Sequence, residues 1–333
     1  MVLTVLVNLA ARQNEYCISV KDLRKDYGKE IHAINGISFN VKYGKVFGFL
    51  GPNGAGKTTT IKVLTTLTQP TSGKVSIFGD DIVKHGTQIR KRIGVVFQQP
   101  SFEANLTVEK SLELYSKLWK IASSERERKL REILHTFDLE SIKNTKNDEL
   151  SIGQRRRVQV AREFMHDMDL LFLDEPTVGL DPAARRSLLD YIKNQVKSGL
   201  TVFFTTHIME EAEYLCDEIA IIDKGRVIAF DTPGGLKQKY GIAKNIELGL
   251  KVDLAKSVVE LIAAATTAIS RSQIEITGTH TLSVKADNPE EVIVELIKTL
   301  SKNNIQIESI SINPPSLEDV FLTIVNQKNE LSM

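Results

Sequence analysis

Cysteine is scarce in this chain. The 333 residues hold two, Cys17 and Cys216, and they form no C-x-x-C pair. A redox or metal motif of that kind is excluded, and the two fit reduced, buried thiols in a cytosolic protein. An excess of one charge is also missing. The formal net charge is +1, so nothing global draws the protein to nucleic acid or anionic lipid. No apolar run reaches the roughly 18 residues that read as a membrane span, so any membrane role has to come through a partner. The first residues are mostly apolar (Val2, Leu3, Val5, Leu6, Val7, Leu9) but lack the basic start and cleavage context of a signal peptide. An extra edge strand and a disordered tail are both open for residues 1–15. What remains is ordinary for a globular chain, with 42% hydrophobic and 26% charged residues and a length that suggests about two domains.

The most informative stretch is Gly51-Pro52-Asn53-Gly54-Ala55-Gly56-Lys57-Thr58-Thr59, which has the spacing G-x-x-x-x-G-K-[ST]. Before it, Lys45 to Leu50 is short and apolar enough for a buried strand; after it, Thr59 to Leu64 can start a helix. Strand, glycine loop and helix together turn the pattern into a P-loop. Glycines let the backbone wrap a phosphate and aim several N–H groups at it, and the helix adds the positive end of its dipole. Lys57 would reach the β- and γ-phosphates, and the Thr58 hydroxyl would ligate Mg²⁺. Downstream, Asp174-Glu175 closes the apolar run Leu170 to Leu173. A carboxylate at such a strand end can hold Mg²⁺, which assigns Asp174; Glu175 is placed to accept a proton from an attacking water.

Around these motifs the chain reads as α/β. Tyr16 to Val20, Ile37 to Val41, Lys74 to Phe78, Ile93 to Phe97, Thr201 to Thr205 and Glu218 to Ile222 are strand candidates, the later ones continuous apolar runs suited to strands buried on both faces. Between them, Thr107 to Ile121 takes helical period, and a second helix is expected near Ser124 with Glu127 completing a capping box and Leu130, Ile133, Leu134 and Phe137 on its apolar face. These read as an inserted helical subdomain, with Tyr115 and Trp119 in its core. Leu150-Ser151-Ile152-Gly153-Gln154 then precedes another helix. Ser151 with Gln154 is itself a capping box; the stretch is either a well-made helix start or a helix N-terminus aimed at a phosphate. The basic run Arg155-Arg156-Arg157 reads as a solvated helix face. After Pro233-Gly234-Gly235 the order becomes β-α-β-β-α-β with a terminal helix, suggesting a small ferredoxin-like domain without a catalytic constellation.

Over about residues 16–240 the motifs, in order, resemble those of the nucleotide-binding subunit of ABC transporters. Beside the P-loop and Asp174-Glu175, Leu150 to Gln154 resembles the family signature, with Ile152 in place of its first glycine while Ser151 and Gly153 remain. Gln98, with Gln99 as the alternative, resembles the glutamine of the helical subdomain; Gly179-Leu180-Asp181-Pro182 resembles the D-loop; Thr205-Thr206-His207 resembles the switch-histidine segment; and Tyr27 sits where the family stacks an aromatic on adenine. The tail ending Ser316-Leu317-Glu318-Asp319-Val320-Phe321 is similar to that of the daunorubicin-resistance-type exporters.

The resemblance implies an α/β P-loop NTPase cassette over 16–240, with its helical subdomain at about 99–165, and an α+β accessory domain over 245–333. It implies an ATPase using ATP and Mg²⁺, with Glu175 as base, His207 as γ-phosphate sensor, Gln98 beside the metal, and Ser151, Gly153 and Gln154 on the nucleotide of a second copy, where Asp181 marks the dimer contact. It also implies a separate permease, no nucleic-acid partner, and a peripheral position on the cytoplasmic face of the membrane. The direction read from the tail is export of drugs or other amphipathic compounds; a non-transport ATPase of this type and a nucleotide-dependent regulatory module are the alternatives.

Overall fold

The computed structural model describes residues 15–28, 30–99, 101–241, 244–252, 256–265, 270, 273–286 and 288–330. The apolar stretch Met1 to Ala11 lies outside them. The strands, in chain order, are β1 (Tyr16–Tyr27), β2 (Ile31–Lys42), β3 (Val46–Leu50), β4 (Ser72–Ile77), β5 (Asp80–Asp81), β6 (Ile93–Val96), β7 (Leu170–Asp174), β8 (Thr201–Thr205), β9 (Glu218–Asp223), β10 (Arg226–Asp231), β11 (Lys244–Leu250), β12 (Ile274–Ile276), β13 (Thr281–Ala286) and β14 (Ile307–Asn313). The chain divides into two compact units between Pro233 and Gly234.

The first unit carries two sheets. β2-β1-β4-β5 is antiparallel; β10-β9-β3-β8-β7-β6 is parallel except for β10. Every residue of β3, β7 and β8 is buried, as continuous apolar runs in a covered parallel sheet should be. One apolar cluster runs through both sheets. Phe39 of β2 stacks on Phe47 of β3 at 5.1 Å between ring centroids, and Phe47 on Phe203 of β8 at 5.5 Å. This packing fixes β3, β7 and β8 side by side, and the loops that carry chemistry leave from their carboxyl ends.

Three helices, Val108–Leu118, Ser123–Thr136 and Ile152–Glu163, fill the stretch between β6 and β7. Thr107 caps the first by accepting from the Lys110 N–H. The capping box expected at Ser124 and Glu127 is absent. The cap of the second helix falls two residues earlier, at Ala122, so Ser124 lies inside its first turn where its hydroxyl cannot serve as a cap, and Ser123 Oγ instead accepts from Arg126. Leu130, Ile133, Leu134 and Phe137 are buried as expected. Tyr115 and Trp119 are half-buried; the Trp119 ring lies face to face on His166 at 3.9 Å, and the Tyr115 hydroxyl donates to Glu163 at 2.8 Å.

The second unit begins in the helix Pro233–Tyr240 and continues as β-α-β-β-α-β with a further helix, Leu317–Glu330. Its antiparallel sheet has the order β12-β13-β11-β14, the split arrangement of a ferredoxin-like fold. It has its own apolar cluster, built from Ile246, Leu248 and Leu250 of β11, Leu282 and Val284 of β13, and Val292, Leu296 and Leu300 of the helix Pro289–Lys302.

Candidate active site

The loop Gly51 to Gly56 joins β3 to the helix Lys57–Leu64. Two of its glycines are demanded by close approach. A Cβ on Gly51 would lie 2.2 Å from the Ile222 carbonyl oxygen, and one on Gly56, where φ is +108°, 2.5 Å from that of Ala33. Gly54 also has positive φ, at +81°, and Ala55 is buried beneath the loop while Pro52 and Asn53 stay exposed. Lys57 is 6% exposed and folds back over the loop, donating to the carbonyls of Gly51 at 2.8 Å and Pro52 at 3.2 Å. Thr58 and Thr59 open the helix, half-buried.

The acids at the end of β7 meet this loop. Thr58 Oγ1 donates to Asp174 Oδ2 at 2.8 Å, and Thr205 Oγ1, from the paired end of β8, donates to Asp174 Oδ1 at 2.7 Å. Glu175 is buried and holds φ at +50°, a left-handed backbone that a residue of its kind seldom adopts. Its N–H donates to the Thr205 carbonyl at 3.0 Å. One carboxylate oxygen, Oε2, lies 3.1 Å from both Gln98 Nε2 and His207 Nδ1; the other, Oε1, lies 3.6 Å from Lys57 Nζ. Three of the groups that the sequence places far apart thus converge on one carboxylate, and Gln98 rather than Gln99 supplies the side-chain contact. His207 is half in solvent, at 53% exposure, so its ring is reachable from outside.

The remaining candidates form a second group. Ser151 caps the helix Ile152–Glu163, accepting from the Gln154 N–H at 3.2 Å, while Gln154 Oε1 accepts from the Ser151 N–H at 2.9 Å. Gly153 and the D-loop touch: a Cβ on Gly153 would lie 2.8 Å from the Gly179 carbonyl oxygen, and one on Gly179 2.9 Å from Ile152 Cγ2. Asp181 caps the helix Pro182–Lys197 through the N–H groups of Ala183 and Ala184, and those bonds, the one from Ala184 foremost, hold its carboxyl below the usual range. Among the described residues no hydrogen bond or ion pair joins Ser151, Gly153, Gln154 or Asp181 to Lys57 or Glu175. Tyr27 ends β1 at 42% exposure, with Lys25 Nζ 5.1 Å from its ring centroid.

One residue dismissed on sequence grounds belongs here. Arg156 is not on a solvated face: it is 2% exposed, and its guanidinium reaches the backbone of both Phe97 and Glu175. The solvated reading fails because the three arginines point in different directions, Arg155 toward the Asp148 carbonyl, Arg157 toward Asp138, and Arg156 inward beside Gln159. Thr205 was placed in the sequence only as part of a segment; its bond to Asp174 gives it a definite part. The inward side of the helix carries buried Val160, Ala161 and Glu163, so helical period was the one signal that could have marked Arg156.

A glycine loop at a helix start, a buried lysine and a strand-end pair of acids define a P-loop nucleoside triphosphatase. The comparisons narrow this. Residues 34–178 match the ABC transporter family, and residues 232–325 match the C-terminal domain of DrrA1-3-like ATP-binding proteins. The linearmycin resistance ATP-binding protein LnrL of Bacillus subtilis is 33% identical over 315 residues, 93% of this chain and 98% of its own length. The daunorubicin/doxorubicin resistance ATP-binding protein DrrA of Streptomyces peucetius is 36% identical over 292 residues, 88% of this chain and 87% of its own. A solved ATP-binding cassette, captured as a dimer after hydrolysis with ADP and phosphate, is 28% identical with a TM-score of 0.61, covering 65% of this chain and 98% of its own. The chain therefore belongs to the ABC transporter family as one of its ATP-binding, ATP-hydrolysing subunits.

Proposed function

We propose that the protein drives export of amphipathic compounds by hydrolysing ATP beneath a separate membrane permease, on the cytoplasmic face of the membrane. The observation that carries the reading is the convergence of Gln98, His207 and Lys57 on the carboxylate of Glu175. Export follows from relatives named for resistance to linearmycin, daunorubicin and doxorubicin. A partner would supply the membrane part; among the described residues no helix is long and apolar enough to cross a membrane.

In this reading residues 16–240 form the ATPase domain, with its helical subdomain at about 99–165, and residues 245–333 an accessory domain. Lys57 supplies positive charge to the β- and γ-phosphates, and backbone N–H groups between Asn53 and Thr59 cradle them. Tyr27 offers a ring face to adenine. The hydroxyl of Thr58 and the carboxylate of Asp174 put two hard oxygens side by side, the donor chemistry that suits Mg²⁺, with Gln98 adding an amide oxygen. Bound there, Mg²⁺ would neutralise charge on the phosphates. Glu175 accepts the proton of the attacking water. His207 and Gln98 hold its Oε2, which leaves the carboxylate one fixed orientation. Two copies join around ATP, with Ser151, Gly153 and Gln154 of one facing the γ-phosphate held by Lys57 of the other, and Asp181 at the contact.

Glu175→Gln keeps the shape of the side chain and removes the base. Steady-state ATPase activity is expected to fall by at least about 100-fold with ATP binding retained, since a positioned base contributes about 10²–10⁴-fold. Turnover within about threefold of wild type would remove Glu175 from the base role.

A further inference from the structure

The guanidinium of Arg156 uses all five of its N–H donors, and most go to the backbone around the candidate base. Nε donates to the Pro176 carbonyl at 2.9 Å. Nη2 donates to the carbonyls of Asp174 at 2.8 Å and Glu175 at 2.6 Å. Nη1 donates to the Phe97 carbonyl at 2.6 Å and to Gln159 Oε1 at 2.7 Å. Gln159 completes the joint, its own amide donating to the Phe97 carbonyl at 3.1 Å and that of Gln99 at 3.3 Å. Burial depresses the arginine to about 10, still charged at neutral pH, with Asp174 and Glu175 opposing the depression. A planar fork of five donors spans two loops at once; an ammonium group cannot.

The two loops are the ones that meet over the reaction. Glu175 sits at φ +50°, a conformation that persists only where the surroundings enforce it. Its carbonyl is pinned by Arg156 on one side and its N–H by Thr205 on the other. Phe97 precedes Gln98, whose amide holds the Glu175 carboxylate. Arg156 itself rides on the helix that Ser151 caps.

We infer that Arg156 is a positioning residue for hydrolysis: it locks the Glu175 backbone and the Gln98 loop to the helix behind Ser151, so that the base is aligned only when that helix is in place. This rests on the reading of Glu175 as base. It makes the signature helix more than a surface offered to a partner's nucleotide, because displacement of its N-terminus is carried along the helix to the chain's own base.

The test is a double-mutant cycle on the full chain with Mg²⁺ and ATP, comparing Arg156→Gln, Glu175→Gln and the double variant. Arg156→Gln is expected to lower kcat by about 100-fold, the cost of a misplacement near 1 Å, with KM and ATP affinity within about twofold of wild type. Because Arg156 acts through Glu175, the double variant should turn over no more slowly than Glu175→Gln alone. A purely structural arginine would instead weaken ATP binding and lower kcat by the same factor in both backgrounds; either result overturns the inference. If Arg156→Gln does not fold, Arg156→Lys replaces it, with at least a tenfold loss of kcat at unchanged ATP affinity expected and wild-type kcat refuting. Near-wild-type turnover in Glu175→Gln would refute the base reading instead, whatever Arg156 does.

Discussion

Thr205→Val isolates one hydrogen bond in the site. Valine matches threonine in shape, so the buried position at the end of β8 keeps its packing and no cavity opens. What goes is the hydroxyl that donates to Asp174 Oδ1 at 2.7 Å. The same hydroxyl also accepts from the Glu175 N–H at 3.2 Å, but that N–H keeps its 3.0 Å bond to the Thr205 carbonyl. The loss is therefore one bond to a buried carboxylate. Hydrogen bonds to charged groups contribute about 1.5–3 kcal/mol, which sets the expected destabilisation near 2 kcal/mol. The assay is built in: Trp119 is the single tryptophan and lies in the first unit, so its fluorescence during urea unfolding reports that unit. The midpoint should fall with the denaturant slope unchanged. With Asp174 as the proposed Mg²⁺ ligand, the Mg²⁺ concentration needed for half-maximal ATPase activity should also rise, since that carboxylate is less firmly aimed. A stability change under about 0.5 kcal/mol, the scale of an inert substitution, would refute the bond's assigned weight.

Two other predictions concern stability. His166 is buried against Trp119, and burial lowers its pKa from 6.5 to about 4. The unfolded chain then binds a proton that the folded chain refuses. Stability is full above about pH 6.5 and is lost as the pH falls toward about 4, by on the order of 3 kcal/mol. In His166→Phe, which keeps a ring on Trp119, that part of the acid slope should vanish; an unchanged slope in urea titrations would contradict it. A chain ended after Lys244 keeps the whole first apolar cluster and none of the second beyond that point. It is expected to stay folded and bind ATP, and an insoluble product would count against the boundary.

The sequence was most legible where one backbone demand fixes the residue type. The loop glycines are there because Ile222 and Ala33 leave no space for a Cβ, and a pattern of glycines records that directly. β3, β7 and β8 announced themselves because a strand covered on both faces has to be apolar throughout. Arg156 was illegible for the opposite reason. A charge between two charges looks solvated; helical period could put Arg156 on the inward side, but the meeting of the Phe97 and Glu175 carbonyls is what makes a buried cation tolerable there. Ser124 misled in a similar way: the letters of a capping box do not say which residue is the first outside the helix, and the turn after Ala122 decided it.

The left-handed backbone of Glu175 has a consequence for how this enzyme can change over generations. β-branched residues at position 175 would strain the peptide groups held by Arg156 and Thr205 as well as replace the carboxylate, whereas unbranched ones would bear about the strain that Glu175 already carries. For branched replacements, side chain and backbone shape change there together. With Glu175 as the proposed base, small steps in hydrolysis rate would fall on neighbours such as Gln98 and His207, which touch its carboxylate without sharing its backbone constraint.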